Sequence, residues 1–506
     1  LSTASLAWLA RHEGHLAWRD MQYLMTAGGR WRMRSVLLIF AVVMGFLHLV
    51  AYSIVHPHAQ AMVEPHTLLA ITGSLCLSFF LMLSQALEQV TRLFYSRGDL
   101  DLFKSSPVPL DRLFGLRVAA IAVSTTGMAL IVAAPVLNVL IALGGARWAL
   151  GYGVAAAGGL ATTGISLLLA AVLFDTLGPR RTRLAAQIAS AVVGSAFIIG
   201  IQAVAILSIG TLSTQALFQS EMVVTHAPAL ESWVWIPAKA VLGDPLALLA
   251  TFAVGIVMLA LPMQILSKRL GDYALAAAGI SHDPQKKRRA SRVFQVTGAT
   301  QLLRRKEWVL LLRDPWLASQ TLMQMLYLIP SGLLLWRYYG DSQGVTVVLA
   351  PVLTMAAGQL GGGLAWLAVS GEDAPDLIAS APISPRLHLF SKVEAVLLAI
   401  FAVFAPFLVA LAFLSWPSAL LVAAGIGIAA LSSTLIQIWF RGQASRKHFR
   451  RRQTSSRIAT FAEAFTSVAW AATAAIAAGD SWFAIGTAIV ALLLLCGTWA
   501  IRPRPQ

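Results

Sequence analysis

About twelve stretches of roughly 20 consecutive apolar residues, separated by short polar punctuation, constrain this chain more than anything else in it. A run of that length crosses the hydrocarbon core as a helix, and there only a helix or a closed barrel satisfies every backbone group. The stretches read as spans at 35–55, 67–87, 116–142, 148–174, 184–210, 245–267, 317–337, 345–370, 393–414, 418–440, 459–479 and 482–501. The predicted fold is an all-α integral membrane protein with about twelve transmembrane helices. Composition agrees: 58% of the 506 residues are hydrophobic and 12% are charged, which excludes an ordinary soluble domain.

A net charge of +16 would suit a nucleic-acid binder, but the positive-inside rule accounts for it. With residues 1–34 on the cytoplasmic side, the outward loops hold only Arg147, Lys239 and Arg337, leaving 35 of the 38 Lys and Arg inside. Both termini are then expected in the cytoplasm of a bacterial cell, below its inner membrane. The basic loops are expected to meet anionic lipid headgroups and no nucleic acid. Residues 1–34 are amphipathic and charged, without the short apolar core of a cleavable signal, so the first span reads as a retained anchor. Cys76 and Cys496 fall inside apolar spans and offer neither a disulfide framework nor a thiolate metal site.

The spans fall into two related halves. Asp101-Leu102-Phe103-Lys104-Ser105-Ser106-Pro107 returns without a gap, at an offset of 275, as Asp376-Leu377-Ile378-Ala379-Ser380-Ala381-Pro382. Arg11-His12-Glu13 with Arg19-Asp20 returns at an offset of 294 as Arg305-Lys306-Glu307 with Arg313-Asp314. The offsets differ because the first half carries extra residues at 21–34 and around His56 to His66. Six spans per half keep both halves in one orientation, a parallel repeat of two six-helix units. The expected organisation is a first half at 1–275, a basic cytoplasmic linker at 276–297 and a second half at 298–506. An outward segment at 211–244 is present only in the first half and reads as two short interfacial helices, or as part of an aromatic belt through Trp233 and Trp235.

Residues 5–20 and 298–316 mix apolar and charged positions at helical spacing, which suits helices lying along the inner headgroup region. Glu13 and Glu307 stand six residues before Arg19 and Arg313, too far for an i,i+4 pair, so a bond to another segment competes with a local one. The loops at 88–117 and 371–392 open on acidic residues, Asp99 and Asp101 in one and Glu372, Asp373 and Asp376 in the other. Acidic residues favour a helix start and Pro107 and Pro382 stop it, so each loop is expected to hold a short helix suited to pressing on a soluble partner.

These motifs resemble those of the permeases of type-2 ATP-binding-cassette exporters. That class carries an interfacial helix with a Lys-Glu…Arg-Asp-Pro pattern before its first span, matched by Lys306, Glu307, Arg313, Asp314 and Pro315. Its coupling helix between spans 2 and 3 has the flavour Arg-Gly-Asp-Leu…Ser-x-Pro, matched by Arg97, Gly98, Asp99, Leu100, Ser105 and Pro107. The first-half interfacial helix departs from the pattern, with His12 for Lys and Met21 for Pro. The resemblance implies two fused six-span subunits that work with two copies of a cassette ATPase, which bind the ATP and Mg. Asp99, Asp101, Leu102, Ser105 and Pro107, with Asp376, Leu377, Ser380 and Pro382, would then contact the ATPase. Glu13, Arg19, Asp20, Glu307, Arg313 and Asp314 would belong to the bracing interfacial helices. No catalytic residue and no cofactor is expected in this chain, since the sequence has no Gly-x-x-x-x-Gly-Lys-Ser/Thr phosphate loop. A small or amphipathic substrate suits the short outward loops.

Two other readings stay open. A twelve-span secondary transporter driven by an ion gradient would need ionisable groups within the spans, where the polar residues are mainly Gln187, Gln202, Gln320, Gln324 and Gln359, with Glu88 and Glu463 near span ends. A membrane enzyme acting on lipids would need paired acids at one interface, for which Glu221, Glu231, Asp244 and His226 are a scattered set. His56, His58, Glu64 and His66 share the first outward loop, where a solvated turn competes with a metal site. Gly358 to Gly363 reads as a place where helices pack closely or flex.

Overall fold

The computed structural model describes residues 33–95, 110–209, 220–279, 298–313, 328–337, 342–370, 382–440 and 457–500, with single positions among 8–22 and 322–326 and at 380 and 502. Among the described residues the regular structure is entirely helical, and eleven helices are long and apolar enough to cross a membrane. The protein is an all-α integral membrane protein with about twelve spans. The eleven coincide with eleven of the twelve stretches read from the sequence. The remaining one, at 317–337, lies largely outside the described residues, which there form a nine-residue helix, Ile329–Arg337.

The chain divides into two compact units, residues 1–205 with 213–289, and 206–212 with 290–506. In the first unit the helices are α1 (Met33–Val55), α2 (Pro65–Tyr95), α3 (Leu110–Gly144), α4 (Leu150–Ile209, whose last residues belong to the second unit), α5 (Glu221–Thr225), α6 (Ile236–Val241) and α7 (Pro245–Gly279). Helix α4 contains two spans, because Gly178 breaks the helical backbone at φ 68° and Pro179 follows it. Only glycine adopts that φ at no steric cost, and proline cannot donate the hydrogen bond that would continue the first helix.

Two cores lie at opposite ends of this unit. One joins Val90, Phe94, Phe114, Val118, Leu167, Phe174 and Leu266, where α2 ends and α3 begins. The other joins Val55, Leu68, Leu140, Trp148, Trp235 and Val241, where α1 ends and α2 begins. The segment before α7 does hold two short helices, but Trp235 is core rather than belt. Its ring is buried and its Nε1 donates to the Ala229 carbonyl at 3.1 Å, whereas Trp233 is exposed. Between the two ends α4 and α7 meet backbone to backbone: a Cβ on Gly164 would overlap the Met258 carbonyl and one on Gly255 would meet the backbone of Ala157. Lipid tails give apolar side chains no reason to associate, so such close approach between small residues supplies the packing.

The second unit contains α8 (Ala299–Arg313), α9 (Ile329–Arg337), α10 (Ser342–Ser370), α11 (Pro385–Leu414), α12 (Trp416–Trp439), α13 (Arg457–Ala478) and α14 (Phe483–Ala500). Its core centres on α10, whose Leu349, Leu353, Leu360 and Leu364 pack with Val396, Ile400 and Phe404 of α11 and Val422 and Ile426 of α12. The glycine run closes helix gaps. Gly358 abuts Ser467 of α13, and Gly361 abuts the Ala430 backbone of α12. Large apolar side chains such as Leu49, Val123, Leu246, Phe413 and Phe483 are exposed in both units, an arrangement fit for acyl chains and unfit for water.

Candidate functional site

Helix α8 places Leu303, Glu307 and Leu311 four residues apart, hence on one face, and all three are buried. Its other face exposes Leu302, Val309 and Leu312, as a helix lying in a membrane interface does. A carboxylate in the middle of a buried stripe needs partners, and Glu307, with 0% exposure, has them. Lys392 of α11 lies 3.0 Å from its Oε1 and donates to its Oε2 at 3.1 Å. Lys306 stands 3.2 Å away on the solvent side. Lys392 also donates to the Ala368 carbonyl at 2.6 Å, in the last turn of α10, where unpaired carbonyls and the helix dipole favour a cation.

One ammonium thus ties three helices together, and a second pair, Arg304 with Glu394 at 2.6 Å, joins α8 to α11 again. These ties flank the loop between α10 and α11. At its far side Ser384 caps α11, its hydroxyl accepting from the Leu387 N–H at 3.2 Å. Within the loop Ser380 is helical and exposed and Pro382 sits at an exposed bend, while Asp376 and Leu377 lie outside the described residues. Glu307 is therefore bonded across helices. Arg313 ends α8 as a helical residue, and Asp314 lies outside the described residues.

The corresponding end of the first unit is built from rings. Phe94 packs on Phe114, Phe174 and Tyr273 with ring centres 5.1 to 6.3 Å apart. Tyr95, the last residue of α2, donates its hydroxyl to the Pro179 carbonyl at 2.5 Å, so the end of α2 is anchored on the break in α4. Thr182 holds the same break through the carbonyls of Leu173 and Gly178, both at 2.8 Å. Tyr273 donates to Asp175 Oδ1 at 2.9 Å, and Arg269 stands 3.6 Å from the same carboxylate. Burial, and then the carboxylate that accepts its proton, push the Tyr273 hydroxyl above the usual phenol range. Asp99, Asp101, Leu102, Ser105, Pro107, Glu13 and Asp20 lie outside the described residues. Arg19 is helical and exposed, beside an open hollow lined by His12, His15, Trp18 and Gln22.

A second constellation lies within the membrane part of the second unit. Glu463 is nearly two turns inside α13, and its Oε2 accepts from Gln437 Nε2 of α12 at 2.8 Å. The carboxylate rests on Gly362 of α10, where any Cβ would collide with it. Beside it Ser433 and Ser467 are hydrogen-bonded across α12 and α13 at 3.3 Å, and Trp470 Nε1 donates to Ser432 Oγ at 3.1 Å. Sequence reading gave Glu463 little weight and did not single out Lys392, because neither has its partner nearby in the chain. Between α1 and α2 Glu64 stands 3.7 Å from His66, and among the described residues no three His, Cys, Asp or Glu side chains gather as metal ligands.

Comparison with protein-family models, with curated proteins and with solved structures found no match.

Proposed function

We propose that this chain is the membrane permease of an ATP-driven exporter, working with two copies of a separate cassette ATPase that supply ATP and Mg binding. In this reading the loops around Asp101 and Asp376 are cytoplasmic and press on the ATPase. Closure of the ATPase pair then shifts two six-span halves between inward and outward access in a bacterial inner membrane, with both chain termini in the cytoplasm. The observation that carries the reading is the buried Glu307–Lys392 pair with its bond to Ala368. A loop that transmits force must not fold away from its flanking helices, and this pair locks both of them to an interfacial helix. An isolated buried ion pair adds little net stability compared with apolar residues, so its use here points to fixing geometry.

The test is co-purification of the full chain with the ATPase, followed by turnover in vesicles. Replacing Asp101, Leu102, Asp376 and Leu377 together by Ala is expected to abolish assembly or stimulated ATP hydrolysis. Unchanged assembly and turnover would overturn the coupling role.

Glu463 favours a second reading, a proton-linked secondary transporter. Its carboxylate is at membrane depth, and its described hydrogen bond comes from a neutral amide. Transport that persists without ATP, collapses with an uncoupler and is lost in Glu463→Gln would select this reading over the first.

A further inference from the structure

Three helices of the first unit bring together polar side chains that neither energy-coupling reading uses. Tyr152 of α4 donates its hydroxyl to Asn138 Oδ1 of α3 at 2.6 Å. Asn138 Nδ2 lies 3.1 Å from His48 Nε2 of α1, and His48 Nδ1 lies 2.6 Å from the Met44 carbonyl. A carbonyl only accepts, so Nδ1 carries the imidazole proton and Nε2 accepts from the Asn138 amide. The direction of every bond follows: phenol to amide oxygen, amide nitrogen to imidazole, imidazole to backbone. Each side chain is fixed by the next.

The chain lies inside the apolar spans. Asn138 stands six residues before the end of α3, about 9 Å along the helix axis. Its side chain is exposed on the surface of this unit, where hydrocarbon would leave its second N–H without a partner. Ile131, two turns nearer the bilayer centre on the same face of α3, is exposed as well, and so is Leu37 on the His48 face of α1. A polar head above an apolar track is the complement of an amphiphile.

We infer that His48, Asn138 and Tyr152 form a binding site for the uncharged, hydroxyl-bearing headgroup of an amphiphile whose tail follows Ile131 and Leu37. The groups left over decide the class. The second Asn138 N–H donates, the Tyr152 oxygen accepts, and a hydroxyl answers both. None of the three bonds described involves a charged side chain, so nothing in the chain selects a phosphate or an ammonium. The inference rests on the transport reading for its purpose, as a stage in the path of the cargo, but the site itself requires no particular energy source.

The experiment uses the full chain in phosphatidylcholine nanodiscs and two photoreactive probes with one diazirine-bearing alkyl tail, one headed by maltose and one by phosphocholine. After illumination, peptides are mapped by mass spectrometry. The maltoside probe is expected to label peptides of α1 and α3, with competition by unlabelled maltoside. Tyr152→Phe, which keeps the ring, is expected to lower that labelling by about fivefold, and Asn138→Leu by at least as much. Phosphocholine labelling is expected to be weaker and unchanged by either substitution. Equal labelling by both probes, or maltoside labelling indifferent to Tyr152→Phe in a variant that elutes and melts like the parent, would overturn the site. No ATPase is present, so that outcome leaves the export reading to its own test.

Discussion

The helices on either side of residues 96–109 and those on either side of residues 371–379 are held by different chemistry. In the first unit α2, α3, α4 and α7 meet through a cluster of rings, with hydroxyls of Tyr95 and Tyr273 at its edge. In the second, α8, α10 and α11 meet on a buried ammonium and carboxylate. Ring packing is tolerant of small slides, because dispersion is spread over many weak contacts. A buried ion pair is not, since each ångström of separation costs Coulomb energy in a low-dielectric site. Two segments of matching sequence thus stand between helices joined in one case by a compliant support and in the other by a stiff one, and the stiff one belongs to the second unit.

The comparison breaks most readily at Lys392. Replacing it by Met removes the main partner of a fully buried carboxylate, and a loss of about 3–5 kcal/mol is expected in denaturant unfolding of the detergent-solubilised chain. Replacing Glu307 by Leu and Lys392 by Met together is expected to cost less than Lys392→Met alone, because no unpaired charge is left behind. Arg117, half-buried in α3, stands 275 residues before Lys392, the same offset that relates Asp101 to Asp376. Its replacement by Met is the matching measurement. A loss as large as at Lys392 would make the two supports alike and end the contrast.

A smaller effect is expected where backbones approach. In Gly362→Ala the new methyl collides with the Glu463 carboxylate, while Gly363, the next residue, has open space at its Cβ position. The first substitution is expected to cost about 1–3 kcal/mol in the same unfolding assay and the second close to nothing. Equal effects would mean that Glu463 swings aside freely and that the contact with Gly362 does not hold it.

Much of this was legible in the sequence, for physical reasons that also explain what was not. A span needs only its own apolar residues, so α2, α10 and α12 could be read from local composition. The break in α4 was legible only as the gap between the stretches at 148–174 and 184–210; that Gly178 and Pro179 make it was not read from the sequence. Glu307 was singled out from its place in a repeated pattern, and its i,i+6 distance from Arg313 already allowed for a partner elsewhere. That the partner is Lys392, 85 residues on, was not legible, because which faces of α8 and α11 meet depends on tertiary packing. The same holds for His48 and Asn138, 90 residues apart, and for Trp235, whose indole finds its acceptor only once the chain has turned back at Ala229. Trp235 also shows the limit of the belt rule: a Trp packs inward where its indole finds an acceptor.

The smallest expected effect tests the compliant support directly. Tyr273→Phe removes one hydroxyl from the rim of the ring cluster and leaves the rings in place, so a loss of about 1 kcal/mol or less is expected, against several at Lys392. The effect carries its own pH signature. The Tyr273 hydroxyl is held above the usual phenol range, chiefly by burial and then by the bond to Asp175, so its folded-state value exceeds its unfolded one. For a group raised in this sense, the stabilisation is fully present below the unfolded phenol value and disappears as pH rises through the folded one. Parent and Tyr273→Phe chains are therefore expected to differ by a constant amount from neutral pH to about 9, and to converge or cross above about 10. A difference that grows with pH would place the hydroxyl in a different role, as an anion held by Arg269. The exposed Arg269–Asp175 pair at the rim of the rings would then be part of a larger ionic support in the first unit.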